Sequence, residues 1–295
     1  MLLKTIGYPL SAALMLFSLS TAVVAEDAAP STKWVLTPLG FRDSVNVHHI
    51  PDGYALVRMT DGHMRAENSV TGDHIDFTEN LSSEASKPVS DNGWITYASW
   101  LNPTPSKPVS SFTTIWKVPP APVTYDGQTL FQFNSIEPST YDSILQPVLQ
   151  YGPSSAGGGK YWSVASWYVT GSSAYFSSLV TVNVGQKLTG VIKLASISGA
   201  NYNYTCKFTQ FSGTNFSVSN IAELTWCTET LEVYNVDQCT DFPHTAFSKM
   251  SGIKLLTGKT VPSVSWTPTD ASTSCGVQTT IVTNNGSAGV VDIYY

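Results

Sequence analysis

The sequence predicts an all-β protein: an antiparallel β-sandwich of the concanavalin A-like or jelly-roll type, preceded by a small β-rich amino-terminal segment. Aromatic and charged residues each make up 12% of the 295 residues, a balance typical of half-buried pleated surfaces and unlike that of helical proteins. From residue 94 onward, stretches such as "WITYASW" and "YWSVASWYV" recur between turn clusters such as "NPTPSKP" and "SSAGGG". Strands at this spacing indicate a sandwich or a barrel.

Residues 1–25 have the pattern of a secretory signal peptide. Lys4 precedes an apolar stretch over residues 12–17, and the small residues Val23 and Ala25 stand before an acidic pair. The apolar stretch is too short to span a bilayer. We therefore expect a secreted protein, extracellular or, in a Gram-negative bacterium, periplasmic.

The exported part divides into two regions by composition. Residues 26–90 contain the three arginines of the exported chain and four of the five histidines, whereas residues 91–295 have one histidine and no arginine. "SVNVHHI" and "YALVRMT", separated by "PDG", predict a small β-meander. The polar run "NLSSEASKPVSDNG" predicts a linker. The first region is therefore either a small β-rich region or a propeptide, and the second is the main β-sandwich domain.

Charge restricts the partners. The formal net charge is −6 and the isoelectric point is near 5.3, and no cluster of Lys and Arg offers a phosphate-binding surface. No segment after the signal peptide is apolar enough for a membrane. We expect a monomer with no nucleic-acid partner and no membrane contact once the signal peptide is cleaved.

The four cysteines predict disulfides and not a metal site. An even number of cysteines in an exported protein indicates two bridges, and the spacing lacks the paired C-x-x-C of a zinc site. We expect no metal and no cofactor. Three connectivities are open, and Cys227 with Cys239 is the preferred pair because it would close a short hairpin. The cysteines are Cys206, Cys227, Cys239 and Cys275.

Few residues of the main domain suit catalysis. Its histidine, His244, lies in the loop-like "DFPHTAF" without a nucleophile motif nearby, which gives a Ser-His-Asp or Cys-His site little support. In "CTETLEVYNV", alternation places Glu232 and Tyr234 on one face of a strand. Glu232 is then either a functional carboxylate or an ordinary solvated one.

A pair of glutamines forms the second unusual feature. Gln146 and Gln150 share one face of the otherwise apolar "ILQPVLQYG", where a buried amide is costly unless it is hydrogen-bonded. The alternative to a functional role is a pair of satisfied amides on an edge strand, with which Pro147 is compatible.

Four motifs resemble, in order, those of the eqolisin family of glutamic peptidases. They are "TTIWKVPPAP", "FNSIEPSTYDSILQ", "YWSVASWYV" and "CTETLEVYNV", and the resemblance spans residues 94–295. It implies a secreted endopeptidase whose Gln/Glu dyad activates water directly, with a polypeptide as substrate and without a metal or a covalent intermediate.

The resemblance also implies site residues. The family's catalytic glutamine falls on Gln146 and its glutamate on Glu232, five residues after Cys227. Gln150 and Glu229 are the alternatives, and Glu137 offers a second glutamate for a Glu137/Glu232 pair, as in the plant glutamic peptidase neprosin. The implied substrate-binding residues are Phe133, Trp162 and Trp167.

This chemistry is expected to operate in acid. A glutamate near a water acts as general base and then returns the proton to the leaving amine, and an amide N–H stabilises the oxyanion. An unperturbed glutamate has a pKa of about 4.3. If residues 26–90 are a propeptide, protonation of its histidines below about pH 6 would promote its release. These are His48, His49, His63 and His74.

Two other functions fit the same residues. An aromatic-rich sandwich without chemistry could bind a carbohydrate or a surface. A glycoside hydrolase needs two carboxylates across a cleft, and Glu232 with Glu137 would supply them.

Overall fold

The computed structural model of the protein describes residues 34–79 and 93–295. The predicted signal peptide and all but the last residue of the predicted linker lie outside this range. Within it, regular structure consists of strands and four single 3-10 turns, and none of it forms a helix long and apolar enough to cross a membrane. The predicted all-β class is confirmed.

The strands, in chain order, are β1 (Trp34–Thr37), β2 (Gly40–Asp43), β3 (Val47–His49), β4 (Ala55–Arg58), β5 (Met64–Glu67), β6 (His74–Phe77), β7 (Gly93–Leu101), β8 (Val109–Lys117), β9 (Thr129–Glu137), β10 (Ser143–Ser154), β11 (Gly157–Thr170), β12 (Ser173–Phe176), β13 (Val180–Thr181), β14 (Lys187–Ser198), β15 (Asn201–Phe208), β16 (Phe216–Ile221), β17 (Trp226–Tyr234), β18 (Phe247–Thr257), β19 (Thr267–Asp270), β20 (Gln278–Thr283) and β21 (Gly289–Tyr294).

Two large sheets form the sandwich. One runs in the order β19-β7-β17-β9-β10-β11-β12-β3, with β13 also paired to β11. The other runs β20-β21-β18-β8-β14-β15-β16-β4-β5-β6. We call them the nine-stranded and the ten-stranded sheet. A separate hairpin, β1-β2, completes the described strands.

The main core lies between the sheets. Alternation along β10 turns Leu145 and Leu149 to this side, where they join Phe112 of β8 and Leu188 and Ile192 of β14 in one buried cluster. This side of the nine-stranded sheet is its inner face. The prediction of a β-sandwich is confirmed.

The opposite, outer face of the nine-stranded sheet is also apolar. Phe131, Phe133, Val148 and Trp167 belong to a second buried cluster on this face. Side chains from the amino-terminal region, including Leu36, Leu39 and Val47, pack against it. The outer face is therefore covered by the chain's own amino-terminal segment.

The amino-terminal region adds strands to both sheets. β3 pairs in parallel with β12 at one edge of the nine-stranded sheet, and β4 pairs in parallel with β16 in the ten-stranded sheet. β4, β5 and β6 form a meander, but β3, from "SVNVHHI", pairs in the other sheet, so the predicted pairing of "SVNVHHI" with "YALVRMT" is wrong. Among its described residues, and apart from the β1-β2 hairpin, this region has no sheet of its own.

The cysteine prediction is corrected. The structure contains a disulfide between Cys239 and Cys275, whereas Cys206 and Cys227 are buried thiols. Cys227 sits on β17 in the core between the sheets, while Cys239 lies in the loop after that strand, so the preferred Cys227–Cys239 pairing is wrong. Burial raises the pKa of both thiols, that of Cys206 to about 12.

Candidate active site

Three neighbouring strands, β10, β9 and β17, carry the candidate residues. Glu232 of β17 is opposite Phe131 of β9, which is opposite Gln150 of β10. Paired residues in antiparallel strands point to the same face, and alternation adds Gln146 and Glu137 to that face. All four polar side chains therefore lie on the outer face, and one of them, Glu232, contacts the amino-terminal segment directly.

Glu232 is fully buried and hydrogen-bonded. Its Oε1 accepts a hydrogen bond from the Tyr234 hydroxyl and another, of 2.7 Å, from the backbone N–H of Leu39. Burial raises the pKa of Glu232 to about 7, against the opposing effects of these donors, of the Arg42 charge and of the Trp94 indole N–H. Glu232 can therefore change its protonation state near neutral pH.

Leu39 lies at the tip of the β1-β2 hairpin. Pro38 and Leu39 connect the strands, and Leu39 has a φ of 66°, as the second central residue of a type II turn requires. Glycine usually occupies that position, and a side chain there costs about 1–2 kcal/mol. The contact with Glu232 and the packing of the leucine side chain on the outer face offset that cost, and strain of this kind is typical of functional sites.

Arg42 holds the hairpin tip together. Its guanidinium donates to Thr37 Oγ1 at 3.0 Å, to the carbonyl oxygens of Leu39 and Gly40, and to that of Gly171 in the sandwich. Arg42 is 7% exposed, and its charge acts on Glu232. The arginine thus organises the tip and places a positive charge beside the buried carboxylate.

Glu137 is the second carboxylate of the outer face. It is 6% exposed at the end of β9, and its Oε1 has no hydrogen-bond partner among the described residues. Burial, with a smaller contribution from the negative charge of Glu232, raises its pKa to about 8. At intermediate pH, Glu232 therefore ionises before Glu137.

Gln146 and Glu232 lie on the same face but form no hydrogen bond with each other. Gln146 lies opposite Ser135 by continuation of the β9-β10 register, and Ser135 pairs with Thr228, four residues before Glu232. The two residues share one face of one sheet, two strands and four residues apart, and no hydrogen bond among the described residues joins them.

The nearest carboxylate to Gln146 is Glu137. The two residues are diagonal neighbours on adjacent strands, for which Cα separations are about 7–8 Å. Both side-chain amide atoms of Gln146 are buried without a partner among the described residues, which is unusual and calls for a specific explanation. Because β10 lies between β9 and β11, the alternative of satisfied edge-strand amides is wrong for Gln146.

Gln150 lies level with Glu232 across the strands, but its side-chain amide already forms hydrogen bonds within the protein. Its Nε2 donates to the carbonyl oxygens of Gly152 and Gly157 at 2.8 and 2.9 Å, and its Oε1 accepts from Ser154. Gln150 therefore secures the end of the β10-β11 hairpin and has no amide hydrogen left for a substrate.

Glu229 faces the other way. Its side chain points to the core between the sheets and accepts a hydrogen bond from Thr114 of β8. Burial raises its pKa well above the usual value, so the side chain is neutral in acid. Glu229 is separated from the outer face by the sheet itself, which removes it from this site.

Two of the three aromatic residues implied for substrate binding lie on the outer face. Phe133 packs edge-on against Trp94 at 5.7 Å, and Trp167 packs against Phe176 at 4.8 Å. Trp162 does not: it packs on Tyr151 at 5.1 Å within the core between the sheets. The expectation for Trp162 is therefore wrong, because Trp162 lies five positions before Trp167, and an odd spacing on a strand points the two side chains to opposite faces.

Sequence reasoning missed Leu39, Arg42 and Trp94. Trp94 pairs with Glu232 and stacks on Trp226, with ring centroids 6.0 Å apart. Only the combination of Pro38 with a following Leu-Gly, where a turn would favour Gly, could have signalled Leu39. No group of three or more His, Cys, Asp or Glu side chains in the described ranges could hold a metal ion.

No family model matches the sequence, and no curated protein matches it. Among solved structures, the chain is similar to scytalido-glutamic peptidase with a peptide-based transition-state analogue (TM-score 0.47, 12% identity) and with a transition-state analogue inhibitor (TM-score 0.46, 14% identity). It is also similar to SCP-B, a member of the eqolisin family, in complex with the tripeptide Ala-Ile-His (TM-score 0.42, 13% identity). Each match covers 70% of this chain and 100% of the other.

Proposed function

We propose that this protein is an exported acid endopeptidase, made as a precursor, in which Glu232 activates the attacking water. The observation that carries the proposal is the hydrogen bond from the Leu39 peptide N–H to the buried Glu232 carboxylate. A substrate's leaving amide would make the same contact. On the outer face, the Glu232 carboxylate thus already binds a peptide N–H, and its proton affinity suits acid–base catalysis.

The proposed reaction needs one carboxylate and nearby donors. Ionised Glu232 takes a proton from water, and the oxygen bonds to the carbonyl carbon. The Tyr234 hydroxyl, which donates to Glu232, and the indole N–H of Trp94, whose residue pairs with Glu232 across the strands, would stabilise the oxyanion. The C–N bond then breaks as Glu232 returns the proton to the departing nitrogen, which would stand where Leu39 N stands now.

The pKa of Glu232 differs between the state in which the hairpin covers it and the proposed active state, from which the hairpin has left. The largest cause of the raised Glu232 pKa is burial, and departure of the hairpin would admit water. The pKa of Glu232 would then fall, which extends the ionised form into acid. This supports activity below neutral pH after the hairpin leaves.

The decisive experiment is digestion of denatured casein at pH 3–4 by the purified full chain and by Glu232→Gln, which keeps the size of the side chain. Loss of a general base costs about 10²–10⁴-fold in rate, and we expect Glu232→Gln to fall in that range. Glu223→Gln is the matched control, because Glu223 contacts Tyr202 away from the outer face. Equal digestion by the wild type and Glu232→Gln would refute the role of Glu232.

A Glu137→Gln variant distinguishes this proposal from one in which the pair formed by Glu137 and Gln146 carries the chemistry. If Glu137→Gln abolishes digestion and Glu232→Gln does not, the chemistry belongs to Glu137 with Gln146. If both abolish it, the two carboxylates act together, as the Glu137/Glu232 alternative requires.

A carbohydrate-directed function is the second candidate. Trp94 and Trp226 stack with an interplanar angle of 14°, and Tyr141 packs edge-on against Trp226 at 5.1 Å, a surface on which a sugar ring could also stack. Hydrolysis of a polysaccharide, or binding to one with no digestion of casein, would favour this alternative. Digestion of casein that requires Glu232 would exclude a purely binding role.

A further inference from the structure

The turn between β10 and β11 makes a second main-chain contact with the amino-terminal hairpin. The backbone N–H of Ser155 donates to the carbonyl oxygen of Leu36 at 2.8 Å. Leu36 is three residues before Leu39, whose N–H is bound by Glu232. The sandwich therefore forms hydrogen bonds with the hairpin backbone at two points, one at the candidate catalytic carboxylate and one at this turn.

A cavity adjoins the contact between Ser155 and Leu36, both of which line it. It has a volume of about 420 Å³, and its walls on the sandwich side include Thr129, Pro153 and Tyr234, the neighbour of Glu232. Val35, Leu36 and Phe41 of the hairpin form the other side. The lining is mainly apolar, so the space suits an apolar side chain larger than those that now border it.

We propose that the Ser155 N–H anchors the backbone of the polypeptide substrate, on the amino-terminal side of the cleaved bond, with a bulky apolar residue in the adjoining cavity. The proposal rests on the proposed peptidase function. In this proposal the hairpin occupies the substrate-binding site. Its backbone contacts therefore indicate where the backbone of a substrate binds. An extended chain bound by main-chain hydrogen bonds at the end of a hairpin is a common mode of peptide recognition.

The turn is suited to this role because of its backbone. Ser155 and Ala156 connect the strands, and Gly157 follows with a φ of 108°, the pattern of a type I turn followed by a glycine bulge. The first central residue of a type I turn keeps its N–H out of the turn's own hydrogen bonding, and proline is favoured there. Ser155→Pro therefore removes the anchoring N–H with little cost to the turn, whereas Ser155→Ala keeps it.

The test uses the full chain and a series of peptides that share one cleavage site and grow by one residue at a time at the amino end. In the wild type and in Ser155→Ala, we expect kcat/KM to rise in one step when the peptide becomes long enough to reach Ser155. Loss of one such hydrogen bond corresponds to about three- to tenfold. In Ser155→Pro that step should be absent. Its loss should appear as a KM for the long peptides that is higher than in the wild type, with kcat unchanged.

Competition with the hairpin does not obscure the result, because the hairpin opposes long and short peptides alike and its effect cancels in their kcat/KM ratio. Replacing the apolar residue that enters the cavity by Asp should lower kcat/KM for long peptides only. A step of the same size in Ser155→Pro, or no step in the wild type, would refute the proposed role of the Ser155 N–H. Failure of the wild type to cleave any peptide would instead refute the proposed function.

Discussion

At the scale of single residues, the strand positions that alternation fixes were predictable and the long-range contacts were not. Glu232 and Tyr234 share a face as predicted, and the hydroxyl of one donates to the carboxylate of the other. The Leu39 contact joins residues 193 positions apart, and no local pattern encodes such a separation. Gln146 and Glu232 lie on one face of the sheet, but their relative position depends on how β9 pairs with both neighbours, which no local pattern encodes.

The neutral carboxyl of Glu229 yields a stability prediction. Its pKa is raised in the folded state by burial, so the folded protein binds more protons than the unfolded chain. The stabilisation is complete below the unfolded pKa of about 4.3 and is lost as pH rises through the folded pKa. Glu229→Gln keeps the shape and the bond with Thr114 but cannot ionise.

We therefore expect Glu229→Gln to melt at a higher temperature than the wild type at pH 7, by about 2–4 °C for each kcal/mol recovered. At pH 4 the two proteins should melt within about 1 °C of each other. Calorimetry at both pH values measures the difference, and casein digestion should be unchanged. A lower melting temperature at pH 7 would contradict a neutral, solely structural Glu229.

At the scale of elements, the β1-β2 hairpin acts as a cover whose tip depends on Arg42. Without the guanidinium, the carbonyl oxygens of Leu39 and Gly40 lose a charged donor and the Glu232 carboxylate loses a neighbouring positive charge. Hydrogen bonds to charged groups contribute about 1.5–3 kcal/mol each. In the proposed precursor the hairpin must leave before casein reaches Glu232, so digestion by the wild type should begin after a lag. We expect Arg42→Ala to shorten this lag by at least about tenfold.

Arg65→Ala is the control for this experiment. Arg65 forms an exposed ion pair with Asp76 at 2.6 Å, and exposed pairs contribute about 0–1 kcal/mol. Its replacement should leave the lag unchanged. The same lag in Arg42→Ala as in the wild type would show that the hairpin tip does not limit access to Glu232.

At the scale of the whole molecule, composition and turn spacing were sufficient to predict a sandwich, because strands such as β8 and β18 of the ten-stranded sheet alternate between buried and more exposed residues. The central strands β9, β10 and β17 of the nine-stranded sheet are instead buried on both faces. The attachment of the amino-terminal region was not predictable. β3 and β4 join the sandwich by parallel pairing with β12 and β16, and parallel partners distant in sequence leave no local signal. The sequence suggested a separate small region, whereas its described strands extend both sheets.

We expect this attachment to be sensitive to acid through His48. Its ring stacks between Phe77 and Tyr175, with centroids at 4.4 and 5.4 Å, and burial lowers its pKa. The attached region therefore binds fewer protons than the detached one. Its attachment is complete above the free histidine pKa of about 6.5 and weakens as pH falls below that value.

We expect His48→Phe, which retains the stacking but not the charge, to keep β3 attached in acid. Amide hydrogen exchange of residues 47–49 should accelerate in the wild type between pH 7 and pH 4 beyond the intrinsic pH effect, and should not do so in His48→Phe. His74→Phe, at an exposed position on β6, should behave as the wild type does. If His48→Phe exchanges as fast as the wild type at pH 4, acid must detach the region through other groups, of which Glu232 beneath the hairpin tip is the next to test.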